Sequence, residues 1–158
     1  MLEALENTDF AAWVRTDLWG WPIALTVHAF GTALVVGFML IIGLRLLGLF
    51  ELIPYSALNK LFPVVWVGLA ISFLSGFVLW MTKATRYVAD GAFMLKFALI
   101  IAGIVLTYYF SLTVKREANV WDTNGAVSSR AVQFVAGTLV VWCTVLIAGR
   151  LTGYLGSI

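Results

Sequence analysis

The stretch PIALTVHAFGTALVVGFMLIIGL, Pro22 to Leu44, decides the fold: 23 residues pass without a charge and with one histidine, His28, among them. A bilayer core about 30 Å thick is crossed by roughly 20 apolar residues in a helix, and a run this long with no period-2 alternation is not a barrel strand. Three further apolar runs follow. The expected spans are about Pro22 to Leu49, Leu61 to Met81, Gly91 to Val114 and Ala131 to Leu155.

Composition agrees with that reading. Of 158 residues, 62% are hydrophobic and 11% charged, and the mean hydropathy is +0.99, where soluble domains carry roughly a quarter charged residues. The fold class is therefore all-α: an integral membrane bundle of four transmembrane helices forming one domain, residues 1–158. Four crossings consume nearly the whole chain, which leaves no room for a soluble catalytic domain. The opening segment carries Glu3, Glu6 and Asp9 where a signal peptide would be basic, so no cleavage is expected. Asn7, Thr8 and Asp9 offer helix caps, and Phe10, Trp13, Val14 and Leu18 recur at helical spacing. These features predict a short N-terminal helix lying in the membrane interface, with a solvated arm as the alternative.

Arg45, Lys60, Lys115, Arg116 and Arg130 flank the loops on one side, against Arg15, Lys83 and Arg86 on the other. By the positive-inside rule both termini face the periplasm of a bacterial inner membrane. Trp13, Trp19, Trp21, Trp80, Tyr87 and Tyr154 are expected to form an aromatic belt on that terminal side. Small residues mark helix contacts, because lipid supplies no hydrophobic drive between helices. Gly68, Ser72 and Gly76 repeat every four residues in the second span, as Gly149 and Gly153 do in the fourth. Gly31, Gly37 and Gly43 in the first span serve packing or leave space for a planar group. Cys143, the lone cysteine, reads as a buried filler.

Ionisable residues inside a membrane are costly, so each is a candidate for function. His28, Lys96 and Arg150 all enter from the terminal side. Imidazole is a common ligand of haem iron, and haem propionates want basic partners at the aqueous edge. One reading makes His28 the axial ligand of a b-type haem, with Gly31 beside the ring and Lys96, Arg150 and Arg86 on the propionates. One histidine cannot supply two axial ligands. The site is then shared by two protomers, completed by Met81 or Met94, or five-coordinate. The competing reading has His28 hydrogen-bonded to a serine, threonine or carbonyl of a neighbouring helix, while Lys96 and Arg150 snorkel to headgroups. A proton relay or a quinone contact fits the same position. A copper site lacks clustered soft ligands, and no phosphate loop, catalytic triad, carboxylate pair or nucleic-acid patch occurs.

The segments Thr26-Val-His-Ala-Phe-Gly-Thr-Ala-Leu-Val-Val-Gly37 and Gly43-Leu-Arg-Leu-Leu-Gly48 resemble a family of uncharacterised bacterial four-helix inner-membrane proteins. Phe93-Met-Leu-Lys-Phe97 and Ala148-Gly-Arg-Leu-Thr-Gly-Tyr154 are similar to that family's lysine-bearing and arginine-bearing helices, so the likeness covers most of the chain beyond Leu18. It implies the fold and the location. The first-helix histidine is also distantly similar to those of small membrane b-type cytochromes and copper-resistance-type membrane proteins, from which this chain departs by having one histidine. The expected function is that of a haem-binding electron-transfer protein, or a homo-oligomer or redox-complex subunit, linking the quinone pool to a periplasmic partner. A non-catalytic membrane anchor and a small-solute transporter are the alternatives.

Overall fold

The computed structural model describes the backbone of residues 2–155 and the side chains of residues 2–149. Two short helices, α1 (Leu2–Glu6) and α2 (Asp9–Thr16), precede the long α3 (Gly20–Leu46). A 3₁₀ helix (Tyr55–Lys60) leads into α4 (Phe62–Met81), and the six-residue α5 (Ala84–Ala89) into α6 (Gly91–Asn124) and α7 (Ser129–Leu155). No strand occurs among the described residues.

α3, α4, α6 and α7 are each long and apolar enough to cross a membrane, and only 22–33% of each most apolar window is buried inside the bundle. Most of the apolar surface is turned outward, as lipid solvation requires and water would penalise. The protein is a multi-pass membrane protein whose solvent over the spans is the bilayer.

Span ends follow local chemistry. α3 ends at Leu46, three residues short of the expected Leu49, because Gly48 takes a left-handed φ of +94°. Leu49 N–H then closes back onto Leu44 O at 2.9 Å, as in a glycine-terminated helix. α6 runs ten residues past the expected Val114 to Gly125, where φ is +67°. Its 34 residues span about 51 Å at 1.5 Å per residue, so the last turns project roughly 20 Å beyond a 30 Å core.

The chain is organised as two antiparallel hairpins, α3 with α4 and α6 with α7, joined where α3 meets α7 and where the 3₁₀ helix packs on α6. α3 and α4 approach at backbone distance: a Cβ at Gly31 would lie 2.6 Å from Ser72 N and 2.9 Å from Gly68 O. Gly31 thus serves helix packing on the face where a side chain would stand, the packing alternative of the two expected for it. In the other hairpin Trp142 Nε1 donates to Thr107 Oγ1 at 3.0 Å, both residues being buried. Cys143, expected as buried filler, is exposed on α7.

The core occupies the half of the bundle nearer the interhelical loops. It contains Val35, Met39 and Ile42 of α3, Val65 of α4, Phe110 and Val114 of α6 and Val135 of α7, with Phe62 edge-on to Phe110 at 5.7 Å. At the loop end Arg45 is 7% exposed: it donates to the carbonyls of Ile53 and Glu51 and stacks 3.9 Å over the Tyr55 ring. Asp122, on the projecting end of α6, accepts from the backbone N–H groups of Tyr55 at 2.6 Å and Ser56 at 3.0 Å. A carboxylate at the start of a helix meets amides with no intrahelical acceptor, so α6 caps the 3₁₀ helix.

The N-terminal segment is docked. It forms two helices where one was expected, with Thr8 capping α2 through Ala11 N–H at 3.3 Å. Val14 packs against Gly20, Arg15 donates to Thr82 O at 3.3 Å, and Glu6 Oε1 accepts from Thr85 N at 2.6 Å and Thr85 Oγ1 at 2.7 Å. Phe10 and Trp13 stay exposed and stacked at 6.0 Å. That outward pair, with exposed Trp19, is the surface an interfacial helix offers to headgroups.

Candidate functional site

His28 lies on the face of α3 that meets α4, two turns beyond Pro22. Its ring rests on Gly76: a Cβ there would come within 3.1 Å of Cε1 and 3.3 Å of Nδ1, so a larger residue would crowd the imidazole and push it by a few tenths of an ångström. Nδ1 is 2.9 Å from Ser72 O and 3.2 Å from Ser75 Oγ. A carbonyl oxygen can only accept, so Nδ1 carries the proton. Ser75 Oγ donates its own hydrogen to Ile71 O at 2.6 Å and therefore also accepts from the ring.

A second link closes the network. Thr32 Oγ1 donates to His28 O at 2.8 Å, which leaves Ser72 Oγ as the donor in the 3.0 Å bond between the two hydroxyls. Small residues in α4 bring the helices close, and the polar groups they carry satisfy one another across the gap.

With the proton on Nδ1, the neutral ring presents Nε2 as a bare lone pair. Among the described residues Nε2 has no hydrogen-bond partner, and no buried side-chain nitrogen or oxygen is left unsatisfied, so this atom is reachable from outside the protein. Metal-bound histidines are held in this way, one ring N–H on a carbonyl and the other nitrogen turned to the metal.

Lys96 of α6 lies within electrostatic range of His28, so the two hairpins bring these two residues to one region. Its stem lies along Gly149 of α7, where a Cβ would be 3.2 Å from Nζ and 3.4 Å from Cε. Arg86 is exposed on α5. The side chains of Arg150 and Tyr154 lie outside the described residues. Met81 is buried at the end of α4, and Met94 is 50% exposed on α6. Among the described residues no three His, Cys, Asp or Glu side chains gather as a metal site would need, so the fit to a metal rests on Nε2 of His28 alone.

Ser75 and Thr32 escaped the sequence reading although they complete the histidine network. The signal was a second serine three residues after Ser72, which places both hydroxyls on one helical face. No protein-family model matches the chain, and neither a curated protein nor a solved structure matches it significantly.

Proposed function

We propose that the terminal-side half of the bundle binds a b-type haem through Nε2 of His28 and that the protein carries electrons within the membrane. The observation that supports this most is the 2.9 Å bond from Nδ1–H to Ser72 O, which fixes the ligating tautomer and leaves Nε2 without a protein partner. What the chain offers the group is one pre-oriented imidazole nitrogen in an apolar span. When bound, haem supplies reversible one-electron transfer.

This chain's residues would do the rest. Ser72 and Ser75 would orient the ring, Gly76 would give it room, and the apolar flanks of α3 and α4 would limit water. With a single imidazole in this chain, any further ligand to the iron would come from another copy of the chain, from a methionine or from no protein group. Sharing across a twofold axis makes the proposed unit a homodimer or a subunit of a redox assembly. Placement in a bacterial inner membrane with periplasmic termini, and exchange with quinone, belong to the same proposal.

The pinned ring also supports a purely structural role, in which His28 ties α3 to α4 inside an anchoring subunit. Visible spectra of detergent-purified protein separate the two, taken oxidised and dithionite-reduced after expression with added haem. Sharp reduced bands in the wild type that are lost in His28→Ala support ligation. A colourless wild type under haem supply sinks the proposal and leaves the anchor reading in front.

A further inference from the structure

We infer that Lys96, with its stem laid along Gly149, is the seat of an anionic oxygen ligand, a carboxylate or a phosphate, inside the terminal-side leaflet. Lys96 sits five residues into an apolar span and is partly buried, yet among the described residues its ammonium has no hydrogen-bond or ion-pair partner. An ammonium carries three donors and a full charge, and such groups within a span are almost always paired. Of the acidic side chains of that end, Glu6 accepts from Thr85, Asp17 from Trp19 N–H and Asp90 from Ala92 N–H at the start of α6, while Glu3 and Asp9 lie exposed on the N-terminal helices. Its titratable neighbour inside the bundle is His28, which offers no negative charge in either protonation state.

Gly149 is the second part of the seat. A side chain there would crowd both Nζ and Cε, so the glycine lets α7 receive the lysine stem against its backbone. A lysine stem lying on the lipid-facing surface of α6 would need no such place; this one is laid against α7. The stem is held by the α6/α7 hairpin, while His28 is held by the α3/α4 hairpin. An anion on Lys96 would therefore sit in the half of the bundle to which His28 also belongs.

Two sources share this chemistry. A propionate of the proposed haem is one, and that version rests on the reading given above. The phosphate of an anionic phospholipid, entering from the bilayer, is the other. Charge-assisted N–H···O bonds of 2.7–2.9 Å would form in either case.

The test uses the full chain in nanodiscs, as wild type, Lys96→Met and Lys96→Arg, with Gly149→Ala as a second probe of the seat. One arm compares binding of haem with binding of haem dimethyl ester, whose propionates carry no charge. We expect the wild type and Lys96→Arg to prefer haem by about tenfold, and Lys96→Met to lose that preference while binding the ester as the wild type does. The second arm compares thermal stability in phosphatidylcholine discs with and without phosphatidylglycerol. A stabilisation by phosphatidylglycerol that Lys96→Met abolishes assigns the anion to lipid. If the wild type binds neither porphyrin, the haem reading falls and the lipid arm alone decides the seat. If Lys96→Met matches the wild type in both arms while the arginine variant is folded, the anion seat is overturned. Gly149→Ala is expected to weaken whichever preference is found by a smaller factor, since the stem can shift by a few tenths of an ångström.

Discussion

The two halves of this bundle are built on different principles. On the loop side, large apolar side chains from all four long helices interlock, and Phe110, Met39, Ile42, Val65 and Val135 are sealed from solvent. On the terminal side, no residue of α6 from Gly91 to Ala102 is buried, and α3 and α4 meet through glycines, hydroxyls and one imidazole. Lipid is as apolar as leucine, so neither half gains much by hiding hydrocarbon. The loop side is held by dispersion and shape, the terminal side by close backbone approach and satisfied hydrogen bonds. A densely packed half is thus joined to a half whose contacts are polar and whose α6 surface is open.

The largest effect that would break this contrast is expected at Phe110, which is fully buried against Phe62. Phe110→Ala should cost about 3–5 kcal/mol in reversible unfolding in mixed micelles. Leu95→Ala, at a position 64% exposed on the terminal half of α6, should stay within about 0.5 kcal/mol. Equal losses at the two sites would erase the distinction between the halves. Next comes Arg45→Leu, which leaves the Ile53 and Glu51 carbonyls without their cationic donor and the Tyr55 ring without its stacking partner. A loss of about 1.5–3 kcal/mol is expected, with faster proteolysis between Leu47 and Pro54.

Thr107→Val strands the buried indole N–H of Trp142 and should cost about 1–3 kcal/mol, while Thr144→Val, at an exposed threonine, should be close to neutral. The smallest effect concerns the arm. Hydrogen bonds from the Thr85 hydroxyl and N–H hold the Glu6 carboxyl below the usual glutamate range. A depressed folded value means that the stabilisation is present above the unfolded value and is lost as pH falls through the depressed one. Trp13 fluorescence and amide exchange over α1 and α2 should therefore be constant at neutral pH and report undocking below the ordinary glutamate range. Glu6→Gln should remove that dependence, and an unchanged acid transition in this variant would rule out Glu6 as its origin.

Much of this was legible in the chain. Four apolar runs place the spans because a backbone in hydrocarbon must satisfy its hydrogen bonds within a helix, and a crossing has a fixed length. The stripe Gly68, Ser72, Gly76 announced a close helix contact, and His28 was marked by being the one imidazole in an apolar run. Arg45 was misread in kind: counted as a loop-side charge for orientation, it is the buried pin of the Leu47–Pro54 loop, and its partners are carbonyls that any sequence carries. Gly31 was read two ways, and only the position of α4 chose packing.

The sequence by itself determined a four-span helical membrane protein with one intramembrane imidazole and a lysine on the same side, because composition, run length and charge placement depend on the solvent and not on neighbours. Only the tertiary structure decided what His28 touches, that Gly76 admits its ring, that the proton sits on Nδ1 and that Lys96 lies along Gly149 in the other hairpin. Those facts are set by which helix faces meet and at what register. A small change in either exchanges one partner for another, while the hydropathy of the chain stays the same.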